Sequence, residues 1–201
     1  MTFRSALAEQ RWDDHRFYHH SRINQSLHLL SALTFLCAYA LFFVQPALAT
    51  LIAWLVAMPC RQIGHFFFEP KDYDTENHAT HEYKEQVKVG YNLRRKAVLM
   101  GIWIASPLLL LVDPTLLGTV AARADWLGAV HNVSMMWLVI GLSAIVLRTI
   151  HLFFLRDVQA GLVWFTKILT DPFHDVMLYY KAPVHLLHGE LYDPIIQHET
   201  V

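Results

Sequence analysis

Four apolar runs limit what this chain can become: Leu27 to Val44, Ala47 to Cys60, Ala97 to Val112, and Val130 to Leu147, the last continuing past Arg148 to Leu155. Most are at or just below the ~17 to 25 residues that cross a bilayer as a helix. A soluble helix of this length carries a polar face at helical period, and these runs carry almost none. A bilayer core supplies no partner for backbone N–H and C=O groups, so segments of this kind cross it as helices. The expected fold class is therefore all-α, a polytopic membrane protein with about four short transmembrane helices and cytosolic or interfacial helices beside them. The chain is 55% hydrophobic and only 16% charged, whereas a soluble domain is about a quarter charged. Its formal net charge of -1 provides no basic field to hold nucleic acid, and that class is excluded.

Gln45-Pro46 separates the first two runs by so little that they read as a helical hairpin, and Asp113-Pro114 ends the third. No internal repeat or low-complexity linker divides the chain. It reads as a single membrane domain over 1–201: a leader at 1–26, a four-helix core at 27–155 with a histidine-rich loop at 61–96, and an interfacial tail at 156–201. Ala47-Leu48-Ala49 resembles a signal-cleavage site, but the polar leader with Asp13 and Asp14 and the long apolar run before it argue against cleavage. Cys37 and Cys60 lie in or at the end of apolar runs without metal-type spacing and read as small hydrophobic residues.

The basic residues give an orientation. Of the sixteen Lys and Arg residues only Arg123 falls in the loop between the third and fourth runs; the other fifteen share one side, which the positive-inside rule makes cytosolic. The expected location is an integral membrane, a bacterial inner membrane or the endoplasmic reticulum, with both termini in the cytosol. Twelve of the thirteen histidines, all but His131, follow the same partition. Histidine has no part in the positive-inside rule, so a metal centre at the cytosolic membrane face is the expected cause.

Three stretches carry the candidate ligands. In FYHHSRINQSLH, residues 17–28, His20 and His28 share a helix face with Asn24 midway, and Asn24 to His28 is an i, i+4 pair in which the amide is placed to orient the ring. On spacing alone, this stretch fits a polar interfacial leader equally well. In IGHFFFE, residues 63–69, His65 and Glu69 again stand four apart, and the hairpin brings them to the depth of His28. The alternative there is an aromatic interfacial belt of Phe66, Phe67 and Phe68. In NHATHE, residues 77–82, His78 and His81 read as a helical His-x-x-His pair followed by Glu82. Further along, Asp171 and Pro172 read as the cap and first turn of a helix, with His174, His185 and His188 as possible additions to the site. Arg148, alone in an apolar run beside His151, is expected to snorkel or to bind a lipid carboxylate.

FYHHSRINQSLH resembles a Tyr-His-His-x-x-x-Asn-x-x-x-His signature, and IGHFFFE is similar to hydrophobic-Gly-His-x-x-Phe-Glu. Both occur in the membrane 2-hydroxy fatty acid dioxygenases that act in converting phytosphingosine to odd-numbered fatty acids. The resemblance covers about the first 70 residues. It implies a small multi-helix membrane enzyme that uses Fe(II) and O2 to oxidise a 2-hydroxy fatty acid to the acid one carbon shorter. It implicates His19, Asn24 and His28, with His20 beside them, and Gly64, His65, Phe68 and Glu69. The family's pattern after the Glu gives way here to Pro70-Lys71-Asp72-Tyr73-Asp74, and His78, His81 and the tail lie outside the match.

The sequence thus names His19, His20, His28, His65, His78 and His81 as metal ligands, Glu69 and Asn24 as catalytic, and Arg148, Phe66 and Phe68 as substrate-binding. The expected cofactor is Fe(2+), with Zn2+ as the alternative and O2 as co-substrate. The expected partners are a fatty acid or other lipid and the bilayer; no pattern sets an oligomeric state. Two other classes compete: a zinc-dependent lipid hydrolase or amidase with Glu69 or Glu82 as general base, and a non-enzymatic metal or haem carrier, which the nearly apolar mid-helix regions disfavour.

Overall fold

The structure, a computed structural model, describes residues 1–69, 71–75, 77–116, 118, 120–122 and 125–194. Pro70, Arg123 and His198, which enter the sequence reading, lie outside these residues. Among the described residues the regular secondary structure is helical, with two isolated β-bridges, Ser21 with Tyr192 and Asp74 with Ala79, in the connections. It is an all-α polytopic membrane protein.

The leader is itself a helix, α1 (Phe3–Tyr18), opened by the Thr2 hydroxyl, which accepts from Ser5 N–H. After a three-residue bend the chain enters α2 (Arg22–Phe42), turns at 43–45 and returns as α3 (Pro46–Phe67), with Pro46 at a position that needs no N–H donor. Inside α3 one turn, Ala53–Ala57, widens to π geometry just before Pro59. Proline donates no hydrogen bond and its ring crowds the carbonyl one turn back. A wider turn at that point lets the helix continue past it.

A short α4 (His81–Val87) precedes α5 (Leu93–Val112), which runs on through a break at Ser106-Pro107. The longest helix, α6 (Trp126–Leu155), has 30 residues, a length of about 45 Å. This exceeds a hydrocarbon core of about 30 Å, so the helix tilts or projects from it. The chain closes with α7 (Val158–Tyr179) and α8 (Ala182–Leu187). Helices α2, α3, α5 and α6 are long and apolar enough to span a membrane. They outrun their apolar cores because their polar end turns are also helical, and two of those turns carry the site.

Helix α2 is central: it packs against α3, α7 and α8, while α6 packs on α3 and α7, and α1 lies along α7. Outward-facing Val98, Ile104, Leu111, Val112, Val139 and Phe154 are exposed, as side chains bathed by lipid would be. Helix α7 corrects the sequence reading. Asp171 and Pro172 do not start a helix but lie in the middle of one. The missing N–H of Pro172 is tolerated where the ring is fully buried in the bundle. Asp171 spends its carboxylate on Lys167, 2.7 Å away, instead of on a cap.

Candidate metal centre

Three imidazoles from three segments meet at one end of the bundle. His28 stands two turns into α2, His65 near the end of α3, and His19 at the residue that closes α1. Their ring centroids are 4.1 Å apart for His19 and His28, 5.0 Å for His28 and His65, and 5.4 Å for His19 and His65. One nitrogen from each lies within 4.8 Å of the other two, and all three residues are buried. No other group of histidine, cysteine and carboxylate side chains converges so closely among the described residues.

Each ring presents its Nδ1 side to an oxygen. His65 Nδ1 is 2.7 Å from Glu69 Oε2, and His19 Nδ1 is 2.9 Å from the Tyr179 hydroxyl. His28 Nδ1 faces Asp175 Oδ2 at 3.6 Å, a charge contact too long for a hydrogen bond. These partners leave the Nε2 lone pairs for the shared space. His19 Nε2 and both nitrogens of His28 have no hydrogen-bond partner among the described residues. A buried polar atom without a partner costs about 1 to 3 kcal/mol. Several such nitrogens close together match the donor set of a cation, and oxygen partners at Nδ1 are what metal-bound histidines ordinarily have. The residues present therefore fit a single divalent ion.

Two features of the sequence bring the rings together. Gly64 lets α3 approach α2 closely: a β-carbon there would strike the Asn24 side chain and come within 3.4 Å of the His28 ring. Asn24, fully buried, donates from Nδ2 to the Tyr18 carbonyl at 2.8 Å and so pins the bend that carries His19. The sequence assigned Asn24 to the His28 ring; in the structure it holds backbone, and Asp175 stands at that ring.

The supporting groups are charged and interlocked. Asp175 accepts from the Arg61 guanidinium at 2.8 Å. Burial opposes its ionisation, yet Arg61 and His28 pull its carboxyl down to about 2. Burial, with Lys88 opposing, raises Glu69, whose carboxylate lies 3.4 Å from Lys88 Nζ. Burial and then His28 and Arg61 keep the His19 ring neutral, well below its ordinary value. Burial and the nearby Asp175 hold Tyr179 well above the usual phenol range, so it keeps its proton. Neutral imidazoles are the form that binds a metal. Beside the trio, Arg11, Asp14, Arg61, Lys167, Asp171 and His174 border a small polar cavity that also touches His19, Asp175 and Tyr179.

Several expected ligands are elsewhere. The His20 ring turns back onto the Arg16 carbonyl, with Asp74 Oδ2 3.9 Å away, and these partners hold it outside the trio. His78 and His81 share no helix face. Asp74 and Ala79 pair through both backbone groups, His78 takes a left-handed φ of 49°, and Thr80 caps the helix that begins at His81. Glu82 is exposed on that helix. His185 pairs with Glu190 at 2.7 Å, His188 caps α8, and His174 reaches only the polar cavity. Arg148 is buried and donates to the carbonyls of Val89, at 2.6 Å, and Gly90, at 3.2 Å. It therefore anchors the chain between α4 and α5 and is not free for a lipid head. Phe66 and Phe68 are half-buried beside His65, with Phe67 turned outward.

Asp175, Tyr179 and Arg61 were missed as site residues. One signal pointed to Arg61: a guanidinium at the end of a membrane helix needs a buried partner. No family model matches the chain, and neither a curated protein nor a solved structure matches it.

Proposed function

We propose that His19, His28 and His65 hold one iron(II) ion, and that the protein is a membrane dioxygenase converting 2-hydroxy fatty acids to the acid one carbon shorter. The observation that carries this reading is the convergence of three buried imidazoles, each with an oxygen partner behind it, at the end of membrane-spanning helices. When bound, the ion supplies a Lewis-acidic centre with positions left over for the hydroxyl and carboxylate of the substrate and for dioxygen.

The protein's own residues do the rest. Tyr179, Asp175 and Glu69 fix the three rings, and Lys88 and Arg61 hold two of those supports in place. Burial of the trio excludes bulk water from the reacting carbons. The site lies at the end of α2 and α3, so a lipid head reaches it while the acyl chain stays in the bilayer, along walls that include Phe66 and Phe68. The reaction R–CH(OH)–COOH + O2 → R–COOH + CO2 + H2O breaks the C1–C2 bond. It passes four electrons from the substrate to dioxygen, so no separate reductant is needed. The cytosolic side of a bacterial inner membrane or of the endoplasmic reticulum is the orientation proposed from the charge partition.

Two features weigh against the alternatives. Glu82 lies outside the cluster and Glu69 is engaged by His65 and Lys88, which leaves the zinc hydrolase without a free general base. A haem iron takes at most two axial protein ligands, so a third imidazole converging with the other two has no place on it.

The test is to supply a defined 2-hydroxy fatty acid to membranes containing the protein and to follow the product one carbon shorter. Wild type should form it with consumption of oxygen, and His28→Ala and His65→Ala should not. Equal product from all three would refute the assignment, as would stoichiometric zinc with no oxygen uptake.

A further inference from the structure

His19 differs from the other two rings of the trio. His28 and His65 sit on long helices, whereas His19 lies at the start of the bend between α1 and α2, where the α1 ladder ends with His19 N–H on the His15 carbonyl at 3.1 Å. Asn24 pins the start of the bend at the Tyr18 carbonyl, and residues 191–193, far away in sequence, lie across the rest of it. Arg22 N–H donates to the Leu191 carbonyl at 2.9 Å, Ser21 bridges to Tyr192, and Asp193 N–H donates to the His20 carbonyl at 2.8 Å.

The Asp193 carboxylate completes the clasp. It accepts from the Arg22 guanidinium at 2.8 Å and from Gln25 Nε2 at 2.8 Å. The fully buried Gln25 uses the same Nε2 to donate to the His19 carbonyl at 2.8 Å. A second route runs through side chains. Asp193 Oδ2 lies 3.9 Å from His15 Nε2, His15 Nδ1 is 3.3 Å from the Tyr179 hydroxyl, and that hydroxyl is 2.9 Å from His19 Nδ1. A carboxylate beside His15 Nε2 favours the proton on that nitrogen. His15 Nδ1 then accepts from Tyr179, the Tyr179 oxygen accepts from His19 Nδ1–H, and the lone pair of His19 falls on Nε2.

We propose that Asp193, on the strap formed by residues 191–193, is a positioning residue of the metal centre, acting on His19 through Gln25 from one side and through His15 and Tyr179 from the other. The proposal rests on the reading of the trio as a metal site. The strap makes the third ligand conditional: released, it leaves His28 and His65 on their helices and His19 on a bend that keeps only its Tyr18 side pinned, by Asn24.

Cobalt(II) binding to the full-length protein in lipid nanodiscs tests this, by competition with a chromogenic chelator and by the visible spectrum of the bound ion. Asp193→Ala should weaken binding about tenfold or more and change the spectrum, with unaltered tryptophan fluorescence as the check on folding. In a His19→Ala background the same substitution should cause no further loss, since residues acting through one group are not additive. Glu190→Ala, beside the strap but paired with His185, should bind cobalt as wild type does. Unchanged affinity in Asp193→Ala, or an equal loss in both backgrounds, would overturn the proposal. Should wild type bind no cobalt, the metal reading falls, and hydrogen exchange at the Arg22 amide decides the strap by itself. Faster exchange in Asp193→Ala supports it, and unchanged exchange refutes it.

Discussion

At one end of the bundle Trp54, Trp103 and Trp137 pack ring on ring, with centroids 5.3 Å apart in both contacts, against Met136, Leu51 and Ile140. At the other end His19, His28 and His65 crowd just as closely, but in a shell of Asp175, Glu69, Arg61, Lys88 and Tyr179. The tryptophan end is mostly apolar: Trp137 Nε1 donates to the Ser106 hydroxyl at 3.0 Å, Trp103 Nε1 has no partner among the described residues, and an indole N–H carries no lone pair to offer a cation. The histidine end leaves His19 Nε2 and both His28 nitrogens without partners. Burial alone therefore does not mark a site, nor does one unanswered donor; several unanswered imidazole lone pairs crowded together do.

The comparison breaks most readily at His28. His28→Ala removes a central ligand and should abolish specific divalent-ion binding, while the fold, read from tryptophan fluorescence, survives. Loss of the fold together with the ion would mean that the two ends are not separable. Trp103→Ala is the converse. Large-to-small substitution of a core aromatic costs about 3 to 5 kcal/mol in water-soluble proteins. Lipid already solvates apolar surface, so only the packing share remains and the cost falls below that range. The expected result is a lower unfolding midpoint in denaturant with metal affinity per folded molecule unchanged.

Smaller effects sharpen the contrast. Asp175→Asn keeps the shape beside His28 but removes the charge, and weaker ion binding by about 10- to 100-fold is expected, measurable by chelator competition. Gly64→Ala pushes a methyl group into Asn24 and toward His28; it should lower ion affinity more than it lowers the unfolding midpoint, because the clash falls on the site. The smallest effect concerns pH. Burial opposes ionisation of Asp14, but the adjoining Lys167 ammonium overcomes it and holds the carboxyl below its usual value. A depressed carboxyl stabilises the fold above the unfolded value of about 3.9 and loses that contribution as pH falls through the folded value. Wild type should therefore exceed Asp14→Asn in stability at neutral pH, with the gap closing below about pH 4. Asp14 is partly exposed, so the gap should be modest.

The legible part of the site was the part written in local spacing. His65 and Glu69 stand one turn apart on a helix and do meet at 2.7 Å, and the hairpin marked by Gln45-Pro46 brings His28 beside them. The four spans were equally open to reading, since an apolar run of that length has few other solutions. His78 and His81 show where spacing fails: the pattern assumed a helix, and Thr80 starts that helix too late. Asp175 and Tyr179 were hidden because Asp171-Pro172 looks like a helix start, which detached the C-terminal residues from the core. Once Pro172 is buried inside α7, both residues face the trio. Contacts such as Gln25 with Asp193 join distant segments and leave no periodicity to find.

The central claim is that the three imidazoles form one metal site, and ion stoichiometry tests it most directly. Protein purified in lipid nanodiscs and titrated anaerobically with iron(II) should bind one ion per chain, and His19→Ala, His28→Ala and His65→Ala should each weaken that binding by at least about 100-fold, beyond the effect of any supporting residue. Binding of the same stoichiometry and strength in all four proteins would contradict it.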